Sequence, residues 1–131
     1  MCHKPHDFIG KIIISRFPYF DVKTKSQKFK GRPMLVIGIE KEIFPCDFSV
    51  LPISKVSKEK YVSEDYDVAL NNSQCEALSL KHSPSYVRVH KQSTVNSRDV
   101  QSGSISDLKN TLPEVYDEIK NKHILFNEDL F

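Results

Sequence analysis

The feature that most constrains the fold is a short apolar run that directly follows a basic, glycine-containing segment. Residues 28–37 read Lys-Phe-Lys-Gly-Arg-Pro-Met-Leu-Val-Ile, and the longest uninterrupted apolar run in the chain is Met34 to Ile37. Four apolar residues suit a buried strand, whereas a transmembrane helix needs about 20. Pro33 lacks an amide hydrogen and has a fixed φ, so it suits the first residue of a strand and favours extended geometry at Arg32.

Arg32 is therefore expected on stiff backbone at the mouth of a sheet. A guanidinium is always charged and can bind two phosphate oxygens at once, which suits binding or activation of a phosphodiester. The alternative is a structural ion pair between Arg32 and a carboxylate. The Arg32-Pro33 dipeptide alone does not decide between phosphate binding and a structural ion pair.

Length and composition predict one domain over residues 1–131. Hydrophobic residues make up 39% and charged residues 27% of the chain, which is ordinary globular composition and argues against wholesale disorder or a membrane protein. The three cysteines are far apart, so we expect reduced thiols in a cytoplasmic protein. Because paired ligand spacing is absent as well, we expect neither a metal site nor a cofactor.

The charge distribution is lopsided although the net charge is only +2. Residues 1–32 hold eight Lys or Arg against two Asp, a local charge of +6. Residues 105–131 hold six acids against three Lys, a local charge of −3. The first region suits a polyanionic partner, and a solvated face is the plainer explanation.

The order of patterns predicts a mainly β fold with a C-terminal helix. We expect a loose N-terminal arm over residues 1–7, a basic loop over 19–31 and a helix over 111–126. Predicted strands cover residues 8–17, 33–40, 47–56 and 85–95. The basic loop combines lysines with aromatic residues, which is typical of single-stranded nucleic-acid binding. Its candidate RNA-binding residues are Lys23, Lys25, Lys28, Phe29 and Lys30.

Arg88 and His90 are expected to project from one face of the strand over residues 85–95, because successive strand side chains alternate. Arginine neutralises developing negative charge, and histidine titrates near neutral pH and can move a proton. The alternative is that both cover a solvated sheet face. Ser54 ends the third strand, where a serine is most often a cap or turn residue.

These pieces in this order resemble the MazF/PemK family of type II toxin–antitoxin toxins, the CcdB/PemK-like β-barrels. The resemblance extends from about residue 8 to residue 120. Its matching segments are Gly10-Lys11-Ile12-Ile13-Ile14, Phe17-Pro18, Lys30-Gly31-Arg32-Pro33, Met34-Leu35-Val36-Ile37, Val50-Leu51-Pro52-Ile53-Ser54, Ser85-Tyr86-Val87-Arg88 and Thr94-Val95-Asn96.

The resemblance implies a dimeric, small SH3-like antiparallel β-barrel that cleaves single-stranded RNA and is neutralised by a cognate antitoxin. It implies a catalytic role for Arg32 and places Ser54 at the family's threonine or serine position. Arg88 matches the first residue of the family's arginine–aspartate pair, and His90 departs from the second. Gln92 is a possible counterpart of a glutamine in this strand.

The resulting hypothesis is a metal-independent endoribonuclease in which the ribose 2′-hydroxyl attacks the adjacent phosphorus. Arg32 and Arg88 would stabilise negative charge, Ser54 would bind a non-bridging oxygen, and His90 would act as acid or base. One alternative is a catalytically silent member that binds nucleic acid or protein. A gyrase-directed poison of the CcdB type is a third possibility, although proteins of that type lack the Arg-Pro loop that this chain has.

Overall fold

The computed structural model describes residues 4–55 and 62–131, and at residues 17–19 and 29 it describes the backbone alone. The strands are β1 (Lys11–Asp21), β2 (Ser26–Ile39), β3 (Asp47–Ser54), β4 (Asp67–Leu70), β5 (Ser85–Arg88), β6 (Ser93–Asn96) and β7 (Val100–Asp107). The α-helices are α1 (Asn72–Ala77), α2 (Leu108–Thr111) and α3 (Pro113–Glu128). Short 3-10 turns occupy Pro5–Phe8, Val89–Lys91 and Ser97–Asp99.

The strands form one antiparallel sheet in the order β4–β5–β3–β2–β1–β7, with β6 alongside β3. This confirms the prediction of a mainly β, antiparallel fold that carries a C-terminal helix. The prediction of a closed barrel is wrong for the part of the chain that the structure describes. No ladder there joins β7 to β4, β5 or β6, so the sheet stays open.

β1 and β2 form a long hairpin where a basic loop over residues 19–31 was predicted. Their ladder continues outwards as far as the pair Asp21 and Ser26, so only residues 22–25 form the turn. The loop prediction is therefore wrong. The two strands pair with each other here, and this pairing between distant residues is not visible in the local sequence pattern.

The outer part of this hairpin has no third strand among the described residues. β7 reaches β1 only as far as Ser15, and β3 reaches β2 only as far as Met34. Pro18 was expected to end the first strand, but a proline is tolerated where a strand is paired on one side only. We call residues 16–31 the basic arm. Its cations are Arg16, Lys23, Lys25, Lys28 and Lys30.

One hydrophobic core lies on each face of the sheet. The first core packs against the helices and includes Ile12, Leu35, Leu51, Ile53, Val87, Tyr116 and Ile119. The second core includes Phe8, Ile13, Met34, Val36, Phe48 and Val50. The alternation of adjacent residues between the two cores explains why the apolar run from Met34 is continuous. Cys46 and Cys75 are free and buried.

β5 and β6 pair with the same edge of β3 on either side of the turn Val89–Lys91. Val87 pairs with Ile53 and Ser93 pairs with Val50, so six steps along the chain lie opposite three steps of β3. The turn takes up the three extra residues. The continuous strand predicted over residues 85–95 is therefore wrong in its middle.

The C-terminal helix predicted over residues 111–126 is present as α3, with Pro113 in its first turn. The N-terminal prediction is wrong for the part described, because Pro5–Phe8 form a 3-10 turn and bury Pro5 and Phe8. Residues 1–3 lie outside the described part. Among the described residues, no helix is long and apolar enough to cross a bilayer.

Candidate functional site

Arg32 and Ser54 lie on the same face of the sheet, where the ladder between β2 and β3 ends. The last pair joins Met34 to Pro52, and extending this register by two residues places Arg32 opposite Ser54. Both residues are partly buried. Neither side chain hydrogen-bonds to, or forms an ion pair with, another residue that the structure describes. The structure thus brings two predicted site residues together and leaves the guanidinium of Arg32 available to a ligand.

The basic arm continues a row of cations outwards from Arg32. Lys28, Lys30 and Arg32 alternate along β2, so they share one face with about 7 Å between successive positions. Lys28 Nζ lies 3.0 Å from Asp21 Oδ2, and this contact lowers the pKa of Asp21. Lys30 is exposed and forms no ion pair with a described residue. This face therefore offers two uncommitted cations and one that is paired.

The remaining candidates in the arm lie at its tip and along its ladder. Lys23 and Lys25 are exposed in the turn, beside the exposed side chains of Phe20 and Val22. The backbone of Phe29 pairs with that of Pro18, and the Phe29 side chain lies outside the described part. The tip therefore combines positive charge with exposed apolar surface.

Arg88 binds a carboxylate that the sequence analysis missed. Asp67 pairs with Arg88 in the ladder between β4 and β5, and Arg88 Nε donates to Asp67 Oδ1 at 2.7 Å. The Asp67 side chain is fully buried, and its Oδ2 accepts the backbone N–H of Ser63 at 2.8 Å. The sequence signal for this contact was the acid Asp67 among the mainly apolar residues 66–70, because a carboxylate that becomes buried requires a partner.

His90 lies in the 3-10 turn after β5 and not on a continuous strand. Its Nδ1 is buried, has no hydrogen-bond partner among the described residues, and lies 3.6 Å from Asp67 Oδ1. The pKa of His90 is lowered, chiefly by burial and also by Arg88 and Lys91, while Asp67 opposes this shift. The ring is therefore neutral near pH 7, which is the form that a general base requires. Asp67, Arg88 and His90 are called the Asp67 cluster below.

Helix α3 covers one side of the Asp67 cluster. The Tyr66 ring lies 5.9 Å from the His90 ring and 5.1 Å from the Phe126 ring, between centroids. The Tyr66 hydroxyl donates to Asp129 Oδ2 at 2.7 Å. Lys122 Nζ donates to the carbonyl oxygen of residue 67 at 3.1 Å. The last turns of α3 thus hold the strand end that carries the buried carboxylate.

Gln92, a candidate RNA-binding residue, is bound to α3. His123 Nε2 donates to Gln92 Oε1 at 2.6 Å, while Asn127 Nδ2 donates to His123 Nδ1 at 3.2 Å. Both ring nitrogens are satisfied in this neutral tautomer, and burial lowers the pKa of His123. The structure therefore commits the Gln92 amide to the helix, and its contact with RNA stays a prediction.

No family model matches this chain, and no curated protein is a significant match to it. Of the four predicted catalytic residues, Arg32 and Ser54 lie opposite each other when the β2–β3 register is extended by two residues, while Arg88 and His90 both lie against Asp67.

Proposed function

We propose that this chain is an endoribonuclease that cleaves single-stranded RNA, and that it acts as the toxin of a toxin–antitoxin pair of the MazF/PemK type. The observation that carries the proposal is the position of Arg32. Its uncommitted guanidinium belongs to a position that the extended register of β2 with β3 places opposite Ser54, at the inner end of a row of lysines. This combination suits a phosphate group within a longer polyanion.

The basic arm suits an RNA strand whose bases are unpaired. Its cations are spaced like the charges of an extended backbone, and each neutralised phosphate releases counterions. The exposed ring of Phe20 offers a face on which a base can stack. Proteins that read RNA sequence act mostly on single strands, because the bases of a duplex are hidden in a deep and narrow groove.

The chemistry proposed is an internal transfer at phosphorus. The 2′-oxygen forms a bond to phosphorus, the bond to the 5′-oxygen breaks, and the products are a 2′,3′-cyclic phosphate and a 5′-hydroxyl. Arg32 stabilises the added charge on the non-bridging oxygens, and Ser54 donates a hydrogen bond to one of them. His90, which is neutral, accepts the 2′-proton, and a proton from the resulting imidazolium or from water then converts the departing 5′-oxygen into the hydroxyl. Asp67, 3.6 Å from the ring, stabilises the imidazolium, and Arg88 adds positive charge.

A catalytically silent RNA-binding protein is the second candidate function. The Asp67 cluster favours it, because the carboxylate contacts both Arg88 and His90. A cluster in which opposite charges neutralise each other can stabilise the fold without taking part in catalysis. In this case Arg32 and the basic arm would hold RNA without cleaving it.

A cognate antitoxin, a homodimer and a cytoplasmic location belong to the same proposal. The MazF/PemK resemblance is what suggests these three features, as it suggests an SH3-like arrangement of the strands. A neighbouring gene for a small acidic protein would support the antitoxin. The positive charge of residues 1–32 is complementary to such a protein.

The proposal is tested by incubating purified protein with a long single-stranded RNA in EDTA. We expect cleavage that leaves 2′,3′-cyclic phosphate ends, detected by end-labelling before and after phosphatase treatment. Arg32→Ala should reduce the cleavage rate by about 100- to 1000-fold, because it removes a charged donor to the transition state. Arg32→Lys keeps the charge but cannot bind two phosphate oxygens at once, so its cleavage rate should lie between those of the unaltered protein and Arg32→Ala.

Lys81→Ala is the matched control, because Lys81 is exposed and lies outside both the basic arm and the Asp67 cluster. Its cleavage rate should equal that of the unaltered protein. Equal cutting by Arg32→Ala would contradict the assignment of Arg32. Salt-dependent binding without any cleavage would establish the silent RNA-binding protein.

A further inference from the structure

An open pocket of about 490 Å³ lies over the second core, between the turn Ser97–Asp99 and the segment around Phe44. Phe8, Phe44 and Phe48 line it. The Phe8 ring meets the Phe44 ring edge-on at 6.1 Å and lies 5.2 Å from the Phe48 ring, between centroids. Phe44 is nevertheless 43% exposed. The pocket therefore offers an aromatic surface that is both accessible and held in place.

The strand register connects this pocket to Arg32. Arg32 on β2 lies opposite Ser15 on β1, and Ser15 lies opposite Val100 on β7. Val100 is one of the residues that line the pocket. Residues directly opposite one another share a face of a sheet, and two strand spacings amount to about 10 Å. The Val100 wall of the pocket thus lies on the face that carries Arg32, about 10 Å from that residue.

Arg98 supplies one positive charge at the rim of the pocket. Arg98 is exposed, and its Nε donates to Asn96 Oδ1 at 3.1 Å. Its two terminal nitrogens have no partner among the residues that the structure describes. None of the described residues that line the pocket is acidic. A flat apolar ring attached to an anionic group is complementary to this surface.

We propose that the pocket binds one unpaired base of a single-stranded RNA, with Phe44 as the stacking partner and Arg98 on an adjoining phosphate. This inference rests on the proposed function and extends it, because it assigns a second contact on the RNA besides the cleaved bond. Phe48, beside Phe44 in the pocket, pairs with Ile39, seven residues from Arg32 along β2, so the stacked base lies several nucleotides from the cleaved bond on the same strand. The pocket then contributes to the sequence context in which cleavage occurs.

The test uses single-stranded 2′-O-methyl oligonucleotides, which cannot be cleaved because the 2′-oxygen is blocked. Affinity is measured by fluorescence anisotropy for an oligonucleotide with bases and for the same backbone without bases. The unaltered protein should bind the first at least about fivefold more tightly, since one stacked base typically contributes a factor of about 5 to 150. Phe44→Ala should reduce this preference at least about fivefold, and the exposed ring of Phe20 accounts for any preference that remains. Arg98→Ala should weaken binding of both oligonucleotides and reduce its salt dependence.

Ile43→Ala is the control, because Ile43 is 67% exposed and adjacent to Phe44 but does not line the pocket. It should keep the preference for bases. A base preference that is as large in Phe44→Ala as in the unaltered protein overturns the inference. A dimer that Phe44→Ala disrupts while base preference is unchanged assigns the pocket to a second copy of the chain, and also overturns it.

The outcomes separate this inference from the cleavage proposal. A base preference that depends on Phe44, in a protein that cuts no RNA, supports the pocket and contradicts the endoribonuclease. Cleavage that depends on Arg32, with no effect of Phe44→Ala on base preference, supports the endoribonuclease and contradicts the pocket. Failure of the unaltered protein to bind either oligonucleotide contradicts both.

Discussion

The basic arm and the Asp67 cluster both concentrate positive charge, but they hold it in opposite ways. In the arm, Lys30 is exposed and has no described ion-pair partner, and Lys28 meets only the carboxylate of Asp21. In the cluster, Arg88 is bound to the fully buried Asp67. Charge that faces water is available to a ligand, whereas charge that is paired inside the protein contributes to the fold. The predictions below test this difference.

Asp67→Ala should give the largest effect on stability. It leaves the guanidinium of Arg88 and the Nδ1 of His90 without the carboxylate that they contact, and breaking a buried pair in this way costs about 3 kcal/mol. Urea unfolding measures the loss. The matched control is Asp65→Ala, which removes an exposed carboxylate and should change stability by less than about 0.5 kcal/mol. A similar small change for Asp67→Ala would remove the distinction between the two regions.

Lysine substitutions in the arm should leave stability unchanged and weaken RNA binding. Each lost phosphate contact should lower the slope of log affinity against log salt by about 0.7 for a single strand. Lys30→Ala should have a greater effect than Lys28→Ala, because Lys28 is already paired with Asp21. Anisotropy titrations at several salt concentrations measure these slopes. Identical slopes for both variants and the unaltered protein would show that the arm does not contact RNA.

Acidification should produce the smallest effect, a gradual loss of stability below about pH 6.5. Burial lowers the pKa values of His90 and His123, so the unfolded chain binds protons that the folded chain does not. The contribution of these two histidines to the free energy of unfolding is therefore fully present above their pKa in the unfolded chain. It is lost as the pH falls through their lower pKa in the folded protein. The groups that face His90 are Asp67, Arg88, Lys91 and Tyr66.

His90→Gln and His123→Gln are the variants that test this pH dependence. Each should make the stability profile between pH 7 and pH 5 flatter, as measured by urea unfolding at a series of pH values. The glutamine at position 123 can still hydrogen-bond to Gln92, so it separates the titration from the loss of the contact. A profile that neither substitution changes would assign the dependence to other groups.

The sequence predicted what depends on local pattern. The apolar run from Met34 forms a buried part of β2, residues 47–54 form β3 close to their expected bounds, and α3 begins at Pro113. In each of these cases, neighbouring residues determine the conformation. Pro33 was expected as the first residue of a strand, but Arg32 and Pro33 lie within β2, because residues 26–33 pair with β1.

What the sequence did not reveal depends on contacts between distant residues. Asp67 became part of the site because β4 pairs with β5, and the pattern of residues 66–70 does not identify that partner. His90 lies in the turn Val89–Lys91 and not in the strand that contains Arg88. The turn is needed because the six residue steps from Val87 to Ser93 lie opposite only three residue steps of β3. The arm was mistaken for a loop because Pro18 was interpreted without its cross-strand partner.

The open edges of the arm have a consequence for self-association. Strand edges that lack a neighbour expose backbone N–H and C=O groups, and these can pair with another copy of the same strand. Lysines along such an edge oppose this pairing, because two approaching copies repel each other. The charges proposed to attract RNA would then also keep the protein dispersed. Any polyanion that neutralises them would remove this repulsion and favour the joining of arms from separate molecules into a larger sheet.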